Sequence, residues 1–295
     1  MVMHMNKNIT VKIDENLNGC TIEHILKNRV GISGGIIIRL KAKEDSIKVN
    51  GVIRKLNERL YDGDELCVCI NEGKSSDIIP VNMPLDILYE DEDIIAVNKP
   101  RLMPTHPTRR HLDDTLANGI MYYFKDMDFV FHSITRLDTN TSGIVIVAKN
   151  ILAAQLLSDE MKNKKIYKEY VAVINGLPKE KNGRICAAIR RKENGGILRE
   201  VAPDGKEALT EYSVEKTNNG FSFVRLKPLT GRTHQLRVHM SYIGHPIYGD
   251  YMYGAEQENE QTRLHCEKVT FKHPFKNENI TIIAPVPADI TALIE

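Results

Sequence analysis

The sequence predicts an α+β protein in two parts: a large domain built on a mostly antiparallel mixed sheet, preceded by a small α/β domain. Three observations predict it. Period-two apolar segments outnumber helical ones over most of the chain. Many of them follow one another with no helix between, which favours antiparallel pairing over a doubly wound sheet. The run Asn71-Glu72-Gly73-Lys74-Ser75-Ser76-Asp77 is small, polar and without period, and reads as a linker. It divides the chain into residues 1–78 and 79–295.

In the first part, apolar spacing places helices over 21–29 and 35–43 and short strands over 46–49 and 65–70. Asn50-Gly51 and Asp62-Gly63 supply the turn signals between them. In the second part, strands fall over 85–89, 94–97, 144–148, 170–174, 209–214, 221–226, 263–271 and 280–284. Helices fall over 112–124, 152–161 and 233–243.

Of the 295 residues, 42% are hydrophobic and 27% charged, which is the composition of a folded chain with a real core. The net charge of +1, from 40 basic and 39 acidic side chains, does not announce a phosphate partner. Any basic surface must be local and offset elsewhere, for example by the run Tyr89-Glu90-Asp91-Glu92-Asp93. The cysteines, Cys20, Cys67, Cys69, Cys186 and Cys266, are odd in number and widely spaced, so no disulfide framework is expected. Cys67 and Cys69 share one strand face and, with no second Cys or His pair nearby, read as core residues rather than metal ligands. The opening residues are polar and no run approaches about 18 apolar residues. A cytoplasmic protein without a membrane partner is expected.

Three stretches concentrate reactive side chains. Thr135-Arg136-Leu137-Asp138-Thr139-Asn140-Thr141-Ser142-Gly143 runs directly into the apolar segment 144–148. A turn held by Thr141, Ser142 and Gly143 fixes Asp138 at the rim of a sheet. Taken alone, the stretch reads first as a surface Arg136–Asp138 pair beside a turn. Residues 226–240 end a strand at Pro228, turn at Thr230-Gly231 and open a helix whose first turn carries Arg232, His234 and Gln235, with Arg237 soon after. Helix-start amides and arginines suit phosphate or carboxylate. His234 and His239 are five apart and share no helix face, so they read as hydrogen-bonding or packing residues, not a zinc pair. In Lys164-Lys165-Ile166-Tyr167-Lys168-Glu169-Tyr170-Val171-Ala172, lysines lead into a strand with two tyrosines, which are able to stack on a base.

Together, and in this order, these stretches resemble the RluA-type family of pseudouridine synthases. The family carries an Arg-Leu-Asp-x-x-Thr-Ser-Gly loop, a Lys-x-Tyr-x-Ala strand and a Thr-Gly-Arg-x-His-Gln-hydrophobe-Arg-Val-His helix. A fourth family feature is Glu90-Asp91 through Ile95-Ala96-Val97-Asn98-Lys99-Pro100, then Met103-Pro104-Thr105-His106-Pro107. The resemblance covers roughly 85–285, and Thr135 departs from the histidine usual there. The first part resembles the alpha-L RNA-binding module through Gly31-Ile32-Ser33, Arg39-Leu40-Lys41-Ala42-Lys43, Ile47-Lys48-Val49-Asn50-Gly51 and Asp62-Gly63-Asp64-Glu65-Leu66.

The resemblance implies isomerisation of a uridine in structured RNA, ribosomal rather than transfer RNA, by a monomer that needs neither metal nor organic cofactor. Uracil leaves the stack, its C–N bond breaks, the base turns, and a C–C bond forms. Asp138 is implied as the catalytic carboxylate, acting either as nucleophile at the ribose or by starting proton removal there. Arg237 is implied as the cation that keeps it ionised. Tyr170 stacks on the uracil and helps take the ring proton, and Leu236 packs beside it. Arg136 fills the space of the extruded base or guides its phosphate, while Arg232 and His234 hold the loop or the RNA backbone. In the first part, Arg39, Lys41, Lys43, Lys48 and Arg54 are the implied phosphate contacts. Two other readings compete. A nucleoside hydrolase requires a second carboxylate beside Asp138, and no motif supplies one. A non-catalytic RNA-binding factor predicts loss of Asp138, Tyr170 or Arg237, and all three are present.

Overall fold

A computed structural model describes residues 3–4, 7–43, 45–73, 77–255 and 261–295. Part of the expected linker, 74–76, lies outside them.

The chain opens with β1 (Met3–His4) and β2 (Lys7–Lys12). A single turn, α1 (Ile22–Ile25), widens into a π-helical turn over Leu26–Val30, closed by Gly31 at φ 80. Then come α2 (Gly34–Lys41), β3 (Ile47–Val49), β4 (Val52–Ile53) and β5 (Glu65–Ile70). The helix expected over 21–29 is therefore two tighter and looser turns in series. Strands β2, β5, β3 and β4 form one antiparallel sheet in that order. Strand β2 escaped the sequence reading because Ile9 and Val11 are its only large apolar residues and even they stay half-buried. The reading of Cys67 and Cys69 as core is corrected here. The pair does share a face, but the buried face of β5 carries Leu66, Val68 and Ile70, and the cysteines are half-buried on the other.

The second part runs β6 (Ile87–Glu90), β7 (Ile94–Lys99), α3 (Leu116–Tyr123), β8 (Met127–Asp128), β9 (His132–Ser133), β10 (Ser142–Ala148), α4 (Ile151–Lys162) and β11 (Tyr167–Asn175). It continues β12 (Asn182–Cys186), β13 (Ile189–Arg191), β14 (Arg199–Val201), β15 (Leu209–Asn218), β16 (Phe221–Pro228), α5 (Gln235–Tyr242), β17 (Leu264–Lys272), β18 (Asn279–Ile283) and α6 (Ala288–Thr291). The expected helix over 112–124 begins only at Leu116, because Thr115 and Asn118 form a reciprocal capping box. The large sheet has the order β12-β15-β16-β11-β17-β10-β7-β6, with β18 beside β17 and β9 beside β10. Its pairings are antiparallel except β10 with β17, so the sheet is mixed and mostly antiparallel, as expected.

That parallel pairing positions the site. Ser142 faces His265 and Gly143 faces Cys266 across it. Gly143 has φ +112, and a Cβ there would overlap the backbone of Cys266. Glycine is thus required for β17 to approach the first residues of β10. The main core lies along β7, β10, β11 and β17, with Ile94, Val145, Ile146, Ala172 and Val269 fully buried.

Candidate active site

The loop before β10 is held from three sides. Thr105 Oγ1 donates to the Leu137 carbonyl at 2.9 Å and accepts its amide at 3.3 Å. The Thr141 amide donates to the Asp138 carbonyl at 3.0 Å, closing the expected turn. Thr135, in the position where the resembled family usually has histidine, is buried and its hydroxyl accepts the Ile146 amide at 2.9 Å. With its backbone fixed, Asp138 turns its half-exposed carboxylate into a cleft of about 360 Å³. Arg136 is exposed at the mouth of this cleft, while Leu137 is buried beneath it.

Across the cleft stands α5. Arg237 Nη1 lies 3.7 Å from Asp138 Oδ2, and Arg237 is only 3% exposed. Its other edge is taken by a carboxylate absent from the sequence reading. Arg237 Nε donates to Asp250 Oδ2 at 2.6 Å and Nη2 donates to Oδ1 at 2.7 Å. This two-point grip fixes the guanidinium plane and leaves Nη1 facing Asp138. Burial pushes the Arg237 pKa down, but the bonds and charge of Asp250, with Asp138, more than offset it, so the cation is permanent. The ring of Tyr253 lies 5.0 Å from the same guanidinium. Asp250 is buried and doubly bonded, which does not suit it to be the free second acid of a glycoside hydrolase.

His234 and Arg232 precede α5 rather than sitting in its first turn, because His234 adopts φ 57 as the N-cap. His234 Nδ1 hydrogen-bonds with the Tyr253 hydroxyl at 2.6 Å, and its Nε2 lies 3.9 Å from Asp138 Oδ2. Burial lowers its pKa, with the Asp138 charge opposing. The helix start is not simply open to an anion. Gln235 Oε1 accepts the Arg232 amide at 3.0 Å, and Gln235 Nε2 donates to the Leu209 carbonyl at 2.9 Å, tying α5 to β15. Arg232 is exposed, with Nε on the Glu207 carbonyl. His239 is a packing residue, bonded to Thr210 and the Ala187 carbonyl.

The floor is Tyr170 on β11 with Leu236 on α5, both buried, both lining the cleft and both part of the main core. Burial, then Cys266 and the Asp138 charge, push the Tyr170 phenol well above its ordinary pKa. It is therefore a neutral ring at physiological pH, which favours stacking over proton removal. Lys168, two residues along the same face of β11, also lines the cleft.

Behind Asp138 lies a buried lysine amine that the motifs contain but the sequence reading gave no role. Lys99 Nζ donates to the carbonyls of Pro100 and Met103 at 2.8 Å and of Thr139 at 3.4 Å. Burial lowers its pKa to about 7, with the Asp138 charge opposing. Its folded pKa is thus below its unfolded one. Between about pH 7 and about pH 10 the unfolded chain binds the extra proton, and this group's contribution to stability rises with pH. Relative to Lys99→Met, the wild type should gain stability from the acid to the alkaline side of neutrality in denaturant titrations. A pH-independent difference between the two would show that Lys99 keeps its proton.

The five module residues are separate from this cleft. Arg39, Lys41, Lys43, Lys48 and Arg54 are all exposed. Arg39 touches the largely buried Glu72 at 3.4 Å, and Arg54 touches Glu58 at 3.1 Å in a surface pair weak enough to yield to a phosphate.

Comparison with known proteins bears on this arrangement. Residues 93–242 match the family model of RNA pseudouridylate synthase. YjbO of Bacillus subtilis, described as an uncharacterised RNA pseudouridine synthase, is 38% identical over 270 residues, 90% of this chain and 95% of that one. Ribosomal large subunit pseudouridine synthase D of Haemophilus ducreyi is 30% identical over 311 residues, 99% of this chain and 95% of that one. The solved structure of human RNA pseudouridylate synthase domain containing 1 superposes with a TM-score of 0.60 at 31% identity, covering 68% of this chain and 83% of that chain. The match spans the Asp138 loop, the Tyr170 strand and the Arg237 helix, and the chain belongs to the RNA pseudouridylate synthase family.

Proposed function

We propose that this protein converts uridine to pseudouridine in large-subunit ribosomal RNA, with Asp138 as the catalytic carboxylate. One observation carries the reading: Asp138 is fixed at the rim of a cleft that Tyr170 also lines, 3.7 Å from a permanently charged Arg237 gripped by Asp250. The target class rests on relatives named for the large ribosomal subunit that align along most of the chain.

A uracil flipped into the cleft stacks on Tyr170 and Leu236, while Arg136 at the mouth takes the vacated place in the stack or guides the flipped phosphate. Asp138 attacks the ribose or starts proton loss from it, with the Arg237 guanidinium facing its carboxylate. Arg232 and His234 hold the loop or the RNA backbone. Residues 1–78 act as an RNA-binding module whose phosphate contacts are Arg39, Lys41, Lys43, Lys48 and Arg54, and 79–295 as the catalytic domain. This division is supported by the two largest sheets, one within 7–70 and one starting at 87, with only the short β1–β8 pairing joining strands across it among the described residues. The enzyme works as a monomer in a bacterial cytoplasm without a cofactor.

The test is a map of pseudouridines across all cellular RNA, with and without the gene, by carbodiimide-based sequencing. Loss of one or a few ribosomal sites, restored only by a copy that keeps Asp138, is the expected result. An unchanged map, together with no turnover by purified protein on unmodified RNA, would leave a binding factor in place of an enzyme.

A further inference from the structure

We propose that α4 is a ruler that fixes the N-terminal module to the catalytic domain in one orientation, so that RNA held by the module reaches Asp138 in a single register. The proposal rests on the module binding RNA, as above.

Helix α4 is 12 residues long and has two apolar stripes. Ala153, Leu157 and Met161 belong to the core of the catalytic domain, and Met161 lines the cleft. Ile151, Leu152 and Leu156 instead belong to the module's core, where they join Ile13, Ile36, Leu40 and Val68. Leu152 is fully buried there. Spacing of four residues keeps Leu152 and Leu156 on one face and Ala153, Leu157 and Met161 on another, and the one-residue offset sets these two stripes about 100° apart, with Ile151 flanking the module stripe. One rigid helix thus serves both cores, with module contacts along its first half and the cleft at its last turn, about 14 Å from Leu152 to Met161 at about 1.5 Å per residue.

One apolar contact alone would allow pivoting. Here polar contacts surround it. Gln155 on α4 donates from Nε2 to the Gly31 carbonyl at 2.5 Å and accepts the Ser33 amide at 2.8 Å, which clamps the link between the π-turn and α2. Lys7 on β2 bonds Asp93 at 2.7 Å and lies 3.9 Å from the Phe275 ring centroid. Asp91, Asp93 and His273 offer ligand atoms within 4.8 Å of one another, a grouping that would otherwise suit a cation. The Lys7 ammonium supplies that positive charge, and His273 and Lys276 both bond Asp91. Glu72, at the end of the module, accepts His132 Nε2 at 3.0 Å. Strand β1 crosses over to pair with β8. Contacts at Gly31–Ser33, Lys7, Glu72 and β1 reach four different parts of the catalytic domain, namely α4, Asp93 with Phe275, His132 and β8, and together oppose pivoting of the module. Arg39 borders the groove between α2 and α4, beside Gln155 and Ser158, so a proposed phosphate contact sits at the seam itself.

The experiment compares two substrates, a short stem-loop carrying the mapped uridine and full-length unmodified ribosomal RNA. Leu156→Asp and Gln155→Ala should keep kcat on the stem-loop within about twofold. On the long RNA the KM should rise about tenfold or more, with uridines outside the natural site becoming modified. A locked variant guards against misfolding of Leu156→Asp. Ser33→Cys with Gln155→Cys is joined by a short thiol linker in a Cys186→Ser background, since Cys186 is an exposed thiol. The locked enzyme should keep the natural site. Loss of that site on locking, with stem-loop turnover intact, would show that the module must move and would overturn the proposal. Unchanged KM and site choice in both point variants would overturn it too. Failure of the underlying functional reading looks different, because the wild type itself would then modify no ribosomal site.

Discussion

Asp138→Asn should abolish isomerisation, with a loss of roughly 10⁴-fold or more in kcat, while RNA affinity changes only a few-fold. The substitution keeps shape and removes only the charge. Arg237, His234 and Lys99 all direct positive or potentially positive groups toward this carboxylate. Such a convergence lowers the energy of an anion, and an amide cannot use it. Arg237 does not depend on Asp138 for its place, because Asp250 holds it by two bonds. The cleft should therefore keep its form in the variant. Single-turnover release of the uracil ring proton measures the chemistry, and filter binding measures affinity. Turnover near the wild-type rate would remove Asp138 from the reaction.

How much of this was legible in the sequence depends on how local each feature is. Strands β7 and β10 were readable because their apolar runs are buried on both faces or nearly so, and β17 because buried Val269 and Phe271 alternate with more exposed polar residues. Strand β12 was not, since Ile185 is its one buried residue and its hold comes from pairing with β15. The same rule governs the site. Asp138, Tyr170 and Arg237 each lie inside a short contiguous motif, so one stretch of chain identifies each. Their supports are non-local. Asp250 stands 13 residues beyond Arg237 in a stretch with no motif of its own, and Thr105 reaches Leu137 across 32 residues. Such partners become visible only once the sheet has closed. The two faces of α4 were hidden for a related reason. A helix apolar on two stripes looks in sequence like a helix with one broad stripe, and only the fold shows that the stripes enter different cores.

Asp250→Ala should be among the most destabilising single changes in the catalytic domain, costing about 3–5 kcal/mol. Asp250 is 1% exposed and Arg237 3%, so neither charge can turn to water when its partner is lost. Removing the carboxylate leaves a guanidinium buried with Asp138 as its remaining counter-ion, and Arg237 should turn toward it. A tighter Arg237–Asp138 contact stabilises the ground state of the very group that must react, so kcat should fall as well as stability. The two effects separate in a double variant. Arg237→Met with Asp250→Leu removes both charges and refills the space with apolar atoms, which should recover most of the lost stability. It should recover no activity, because the cation facing Asp138 is gone. Denaturant titration and single-turnover assays on Asp250→Ala and on the double variant separate the two effects. A cost below about 1 kcal/mol for Asp250→Ala would mean that water reaches Arg237, and the buried grip would not be what sets its position.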